Sequence, residues 1–188
     1  MAVPIQKRFV TIDEYHRMGE EGVFPPDARV ELIYGEIIEM SPIGPRHAGS
    51  VRRFNRNFST RLSPYAIVDI QNPVEMRDQE SEPQPDITLL RLQDDLYSAA
   101  TPTPGDTLLV VEVADYSSLS FDRRVKMHLY AEAGIPESWL VDLKSGTLFV
   151  YRRPSPEGYQ DVRPYRRGES VAPEAFPDVR FTLDEILG

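Results

Sequence analysis

Thr107-Leu108-Leu109-Val110-Val111-Glu112-Val113 is the stretch on which the reading of this chain turns. A continuous aliphatic run of this kind reads as a strand buried on both faces, which places it inside a sheet covered by helices. Glu112 interrupts it. An ionised carboxylate in such surroundings is costly unless a cation or hydrogen-bond donors compensate. Upstream, Pro85-Asp86 opens a second apolar run, Ile87-Thr88-Leu89-Leu90. Asp86 starts its strand and Glu112 lies near the end of the next long one, so antiparallel pairing would bring both carboxylates to one end of the sheet. A shared divalent cation accounts for the pair, and oxygen ligands suit Mg2+ or Mn2+.

After this strand, residues 121–133 read as a helix capped by Ser120 and stopped at Gly134, with Pro136 beyond. Asp122, Lys126 and Tyr130 follow one another along one of its faces, close behind Glu112. Lys126 is therefore placed to act beside the metal, and Tyr130 to hydrogen-bond the site. Residues 138–143 and 147–151 form a C-terminal hairpin around Lys144-Ser145-Gly146.

Before the strand, Val51, Phe54, Phe58 and Leu62 recur at helical spacing over residues 47–62, and Pro64 ends that helix. Arg52, Arg53 and Arg56 project away from the apolar stripe and are candidates for contact with a phosphate backbone, the alternative being a solvated face. Residues 65–71 and 74–77 read as strands, and residues 93–106 as a loop. An N-terminal hairpin forms from residues 29–33 and 36–40 around Tyr34-Gly35. A short helix starts at Thr11, with Glu14 completing a capping box. The proline-rich residues 152–188 end in a turn at 183–187. The sum is an α/β architecture, a mixed β-sheet flanked by helices with an added N-terminal β-hairpin and a C-terminal hairpin, in one domain whose core spans about residues 29–151.

The 188 residues are 40% hydrophobic and contain no cysteine, which excludes disulfides, thiolate nucleophiles and thiolate zinc sites. Residues 1–8 lack an apolar signal core, and no stretch approaches the roughly 18 uncharged residues of a membrane span. A cytoplasmic protein with no membrane segment is expected. The net charge of -9 opposes a polyanionic partner. Its distribution is uneven: Arg46, Arg52, Arg53, Arg56 and Arg61 occur in a stretch without a single acid.

The segments 30–37, Met40-Ser41-Pro42 with His47, Pro85-Asp86-Ile87, 110–113 and 126–142 together resemble the Uma-type restriction-endonuclease-like family, within the PD-(D/E)XK nuclease superfamily. The resemblance covers about residues 11–151. It implies a restriction-endonuclease-like fold and a metal-dependent endonuclease acting on DNA, with Mg2+ or Mn2+ as cofactor. Asp86, Glu112 and the Val113 carbonyl would bind the metal, Lys126 would be the catalytic lysine, and Glu31 would assist. His47 is a further candidate. Ala114 stands where the superfamily motif places its lysine, so Lys126 on the helix has to substitute for it. Nuclease cores that cut both strands commonly act in pairs, which makes a homodimer a further expectation.

The plainer readings are structural. Asp86 could cap a backbone amide, Glu112 could pair with an arginine of the neighbouring helix, and Lys126 could be solvated. At the level of function, the competitors are a non-catalytic nuclease-fold binding module and a metal-dependent hydrolase of RNA or small phosphodiesters.

Overall fold

The computed structural model describes residues 7–188, so most of the N-terminal stretch read for a signal core lies outside the described residues. Helix α1 (Ile12–Glu20) opens with the Thr11–Glu14 capping box. Strands β1 (Val30–Ile33) and β2 (Glu36–Glu39) form the expected hairpin. Tyr34 and Gly35 both adopt positive φ, 49° and 72°, the two-residue turn whose twist matches that of the strands it joins.

Helix α2 (Pro45–Leu62) precedes β3 (Ile67–Asp69), β4 (Ile87–Leu90) and β5 (Thr107–Ala114). Three helical pieces then run on without a break: α3 (Leu119–Phe121), a π-turn over Asp122–Lys126, and α4 (Met127–Glu132). They cross over to β6 (Glu137–Asp142), followed by β7 (Thr147–Arg152) and β8 (Asp161–Tyr165). These strands make one six-stranded sheet in the order β3-β4-β5-β6-β7-β8. Only β5 and β6 pair in parallel. That is the pair the helical crossover joins, as a parallel connection requires.

The alternation of side chains along β5 assigns its faces. Leu109, Val111 and Val113 meet the α2 stripe of Val51, Phe54, Phe58 and Leu62, together with Trp139. Helix α5 (Leu183–Leu187) adds Leu183, Ile186 and Leu187 to the same layer. Phe58 and Trp139 pack edge-on with ring centroids 5.9 Å apart. Burying each such side chain contributes on the order of 2 kcal/mol. Val110 and Ala114 face the other way, against Met127, Leu129 and Tyr130. Glu112 shares that parity, so it points at the crossover helix.

Three expectations need correction. Residues 74–77 form no strand. Met76 makes a single bridge to Ser81, and a 3-10 turn over Arg77–Gln79 ends at Glu80 with φ 43°, because the polar run favours a turn over a ladder. Ser120 is not the helix cap: the helix begins at Leu119, and the preceding amides of Ser117 and Ser118 are taken by the Asp115 carboxylate. The C-terminal region carries β8 and a small pair, β9 (Ser170–Val171) with β10 (Phe181–Thr182), where only a terminal turn was expected. Pro164 and the exposed side chains of β8 hide its strand character, and both suit an edge strand.

Candidate active site

Four elements deliver four charged side chains to one end of the sheet. Glu31 comes from β1, Asp86 from the residue before β4, Glu112 from β5 and Lys126 from the end of the π-turn, and all four are buried. They line a cleft of about 220 Å³ together with His47, Val113 and Asp122. Lys126 Nζ lies 2.9 Å from Glu31 Oε2 and 3.1 Å from Glu112 Oε1. Tyr130 donates its hydroxyl to Glu112 Oε1 at 2.5 Å. The π-turn widens the helix where Lys126 and Met127 are both turned inward, the kind of local adjustment that recurs at functional sites.

Asp86 is held from three sides. Its Oδ2 accepts from the Val113 amide at 2.8 Å and contacts His47 Nε2 at 3.0 Å, while Oδ1 accepts from Gln71 Nε2 at 3.0 Å. The Val113 contact is the capping role foreseen for Asp86, combined with a place in the cleft. His47 Nδ1 is buried without a partner among the described residues. Gln71 carries a left-handed φ of 55°, which turns the chain after β3 toward Asp86.

The electrostatics are those of a site short of positive charge. Burial pushes the Glu112 carboxyl up to about 8, although Lys126 pulls it down. Burial likewise raises Asp122 to about 6 against the same lysine. Burial acts to lower the Lys126 ammonium, but the charges of Glu112, Glu31 and Asp122 outweigh it, so Lys126 stays firmly cationic. For His47, burial works downward but its hydrogen bond to the Asp86 carboxylate and that carboxylate's charge prevail, leaving the ring above its ordinary value. Lys126 thus answers Glu31, Glu112 and Asp122, while Asp86 lies across the same cleft, which Arg29 also lines. Asp86, Glu112 and the Val113 carbonyl are the oxygen donors here that could hold a divalent cation, and magnesium commonly takes one or two carboxylates and keeps several waters.

Glu31 and His47 do not complete a tighter set with Asp86 and Glu112. Among the described residues, the one trio of carboxylate and imidazole ligand atoms within 4.8 Å of one another is His16, Glu75 and Glu82, away from this cleft. There Glu82 is taken by His16 at 2.6 Å and Glu75 by Arg77 at 2.7 Å, so both carboxylates already have partners.

Glu112 pairs with Lys126 of the crossover helix and not with an arginine. Arg52, Arg53 and Arg56 do not line the cleft. Arg52 and Arg56 lie exposed on α2, while Arg53 packs against the C-terminal Gly188. Sequence reasoning gave Asp122 no role in the site, and it left out Gln71 and Gln84, whose backbone amide donates to Glu31 Oε2 at 3.2 Å. Asp122 carried a signal, since it shares the helix face of Lys126. Gln71 carried none beyond the turn-forming Asn72-Pro73 after it.

Sheet, crossover helix and cleft define a restriction-endonuclease-like α/β protein. A crystal structure from Anabaena variabilis, titled a "putative nuclease belonging to DUF820", shares the fold with a TM-score of 0.74 at 15% identity, covering 95% of this chain and 97% of that one. The Uma2 family, described as "Putative restriction endonuclease", matches residues 12–184, and the chain belongs to it. No curated protein matches the sequence.

Proposed function

We propose that the chain is a divalent-metal-dependent endonuclease that hydrolyses DNA phosphodiester bonds at this cleft. The observation that carries the reading is the burial of Glu31, Asp86, Glu112 and Lys126 together from four separate elements. The Anabaena protein of the same fold bears a nuclease title, and the family's own description points the same way.

Asp86 and Glu112 would hold Mg2+ or Mn2+. In an antiparallel ladder a residue's N–H and C=O face the same neighbour, so the Val113 carbonyl lies on the side where its amide meets Asp86. When bound, the ion supplies Lewis-acid polarisation of a phosphoryl oxygen and acidifies water. The protein's own groups do the rest. His47, Gln71 and the Val113 amide orient Asp86, while Tyr130 fixes the Glu112 rotamer. Lys126, pinned by Glu31 and Glu112, offers a charge-assisted donor where negative charge grows on the phosphoryl oxygens. Because its carboxylate partners hold it in place before substrate arrives, little reorganisation is needed during reaction.

Supercoiled plasmid incubated with the protein and Mg2+ or Mn2+ tests the reading. Nicking is expected with metal, none with a chelator, and none from Asp86→Asn or Lys126→Met. Cleavage by either variant at the wild-type rate would remove the assignment. The net charge of -9 favours a smaller or less highly charged substrate than duplex DNA, so RNA and a chromogenic phosphodiester belong in the same assay.

A further inference from the structure

The parallel pairing of β5 and β6 sets the loops that leave them side by side. Ala114 and Asp142 are in register, and the Leu143 amide donates to the Ala114 carbonyl at 3.1 Å. Tyr116 stands on the first loop and Lys144 on the second. The Lys144 ammonium lies 4.9 Å from the centroid of the Tyr116 ring. Arg46, at the start of α2, donates to the Leu143 carbonyl at 2.9 Å, which adds a second cation to the same corner. Neither Arg46 nor Lys144 pairs with a carboxylate among the described residues.

Tyr116 is 82% exposed, which leaves a face of its ring open to a ligand. Its loop is nevertheless braced. Asp115 Oδ1 accepts from the Ser117 amide at 2.9 Å and from the Ser117 hydroxyl at 2.6 Å. Asp115 and Ser117, on either side of Tyr116, line the same cleft as Asp86 and Glu112, and the half-exposed Ile43 stands at its mouth.

The geometry points to a base-stacking ledge: Tyr116 takes the face of an unpaired base, while Lys144 and Arg46 hold the adjoining phosphates of a single-stranded segment entering the cleft. A ring beside two cations matches the stacking-plus-backbone chemistry by which single strands are bound. An intact duplex buries its base faces and offers Tyr116 nothing to stack on. This assignment rests on the nuclease reading and adds the strandedness of its substrate.

Binding without metal tests it apart from cleavage. A fluorescent DNA strand of about 16 nucleotides, free or annealed to its complement, is titrated with the full chain at low salt. The free strand is expected to bind about tenfold more tightly than the duplex. Tyr116→Ala should lose about tenfold of that affinity, and Tyr116→Phe, which keeps the ring, should retain it. A 2-aminopurine base in the strand should be quenched by the wild type and by Tyr116→Phe, and not by Tyr116→Ala. Wild-type affinity in Tyr116→Ala, or equal affinity for the duplex, overturns the ledge. So does sedimentation showing that Tyr116→Ala converts a dimer to a monomer, which would make the ring a self-association surface. A chain that shows the ring-dependent binding yet cleaves nothing would sink the nuclease reading alone. A chain that cleaves while Tyr116→Ala binds normally would sink this one alone.

Discussion

Asp86 Oδ2 accepts the Val113 backbone amide at 2.8 Å, two residues beyond the last β4–β5 pair, Ile87 with Val111. A side chain completes the ladder just before strand β4 begins. The same carboxylate is therefore both a structural acceptor and a wall of the cleft, which ties its loss to stability as well as to activity.

Replacing Asp86 by alanine should strand the Val113 amide and the donors of His47 and Gln71. An unsatisfied buried donor costs about 1–3 kcal/mol, so urea denaturation should show a loss of that order for Asp86→Ala. Asp86→Asn keeps an oxygen for the amide and should lose less, while being equally inactive on plasmid. Full stability in Asp86→Ala would show that water replaces the carboxylate at no cost.

Lys126→Met should be more damaging than either carboxylate change. It leaves Glu31 and Glu112 buried without their cation, and breaking a buried pair on one side costs about 3–5 kcal/mol. Combining it with Glu31→Gln removes the carboxylate nearest the lost ammonium and should recover part of the loss. A double variant no more stable than Lys126→Met in equilibrium unfolding would refute the coupling.

Stability should fall with rising pH and be restored by metal. Glu112 titrates near 8 in the folded chain against an ordinary 4.5, so the folded state holds the extra proton in between. Its contribution is full below pH 4.5 and is lost as pH rises through about 8; Asp122, near 6, acts in the same sense over a lower window. A cation that replaces the proton should stabilise more as the proton leaves. The rise in Tm on adding Mg2+ over chelator should be larger at about pH 9 than at about pH 6. An equal or reversed difference would place the ion elsewhere.

Gly35→Ala tests how the first hairpin is seated. Gly35 has φ 72°, and an added Cβ would come 2.7 Å from the Phe9 Cβ and 3.0 Å from the Val10 carbonyl. The left-handed conformation alone costs about 1–2 kcal/mol, and the clash adds to it. Thermal unfolding should show the loss, and because β1 carries Glu31, cleavage should weaken with it. An unchanged Tm would mean that the N-terminal segment moves aside freely.

Much of this was open to reading along the chain. The Val51, Phe54, Phe58 and Leu62 stripe, the Thr11–Glu14 capping box and the Tyr34-Gly35 turn rest on neighbours within a few residues, and local periodicity is sufficient to place them. Glu112 stood out because an acid inside an aliphatic strand has no local explanation. Strand β8 did not stand out, since an exposed edge strand bearing Pro164 has no apolar alternation to show.

What the sequence determined by itself was the two hairpins, the main helices and the strands from β3 to β7, the alternation that puts Glu112 on one face of its strand, and the chemistry available at positions 31, 86, 112 and 126. Only the tertiary structure decided which groups meet: Lys126 between Glu31 and Glu112, Asp86 among His47, Gln71 and the Val113 amide, and Tyr116 beside Lys144. The division is physical. Periodicity, caps and turns depend on backbone sterics over one or two turns of chain, whereas these contacts follow from strand order and from the burial of unlike charges, which no local pattern records.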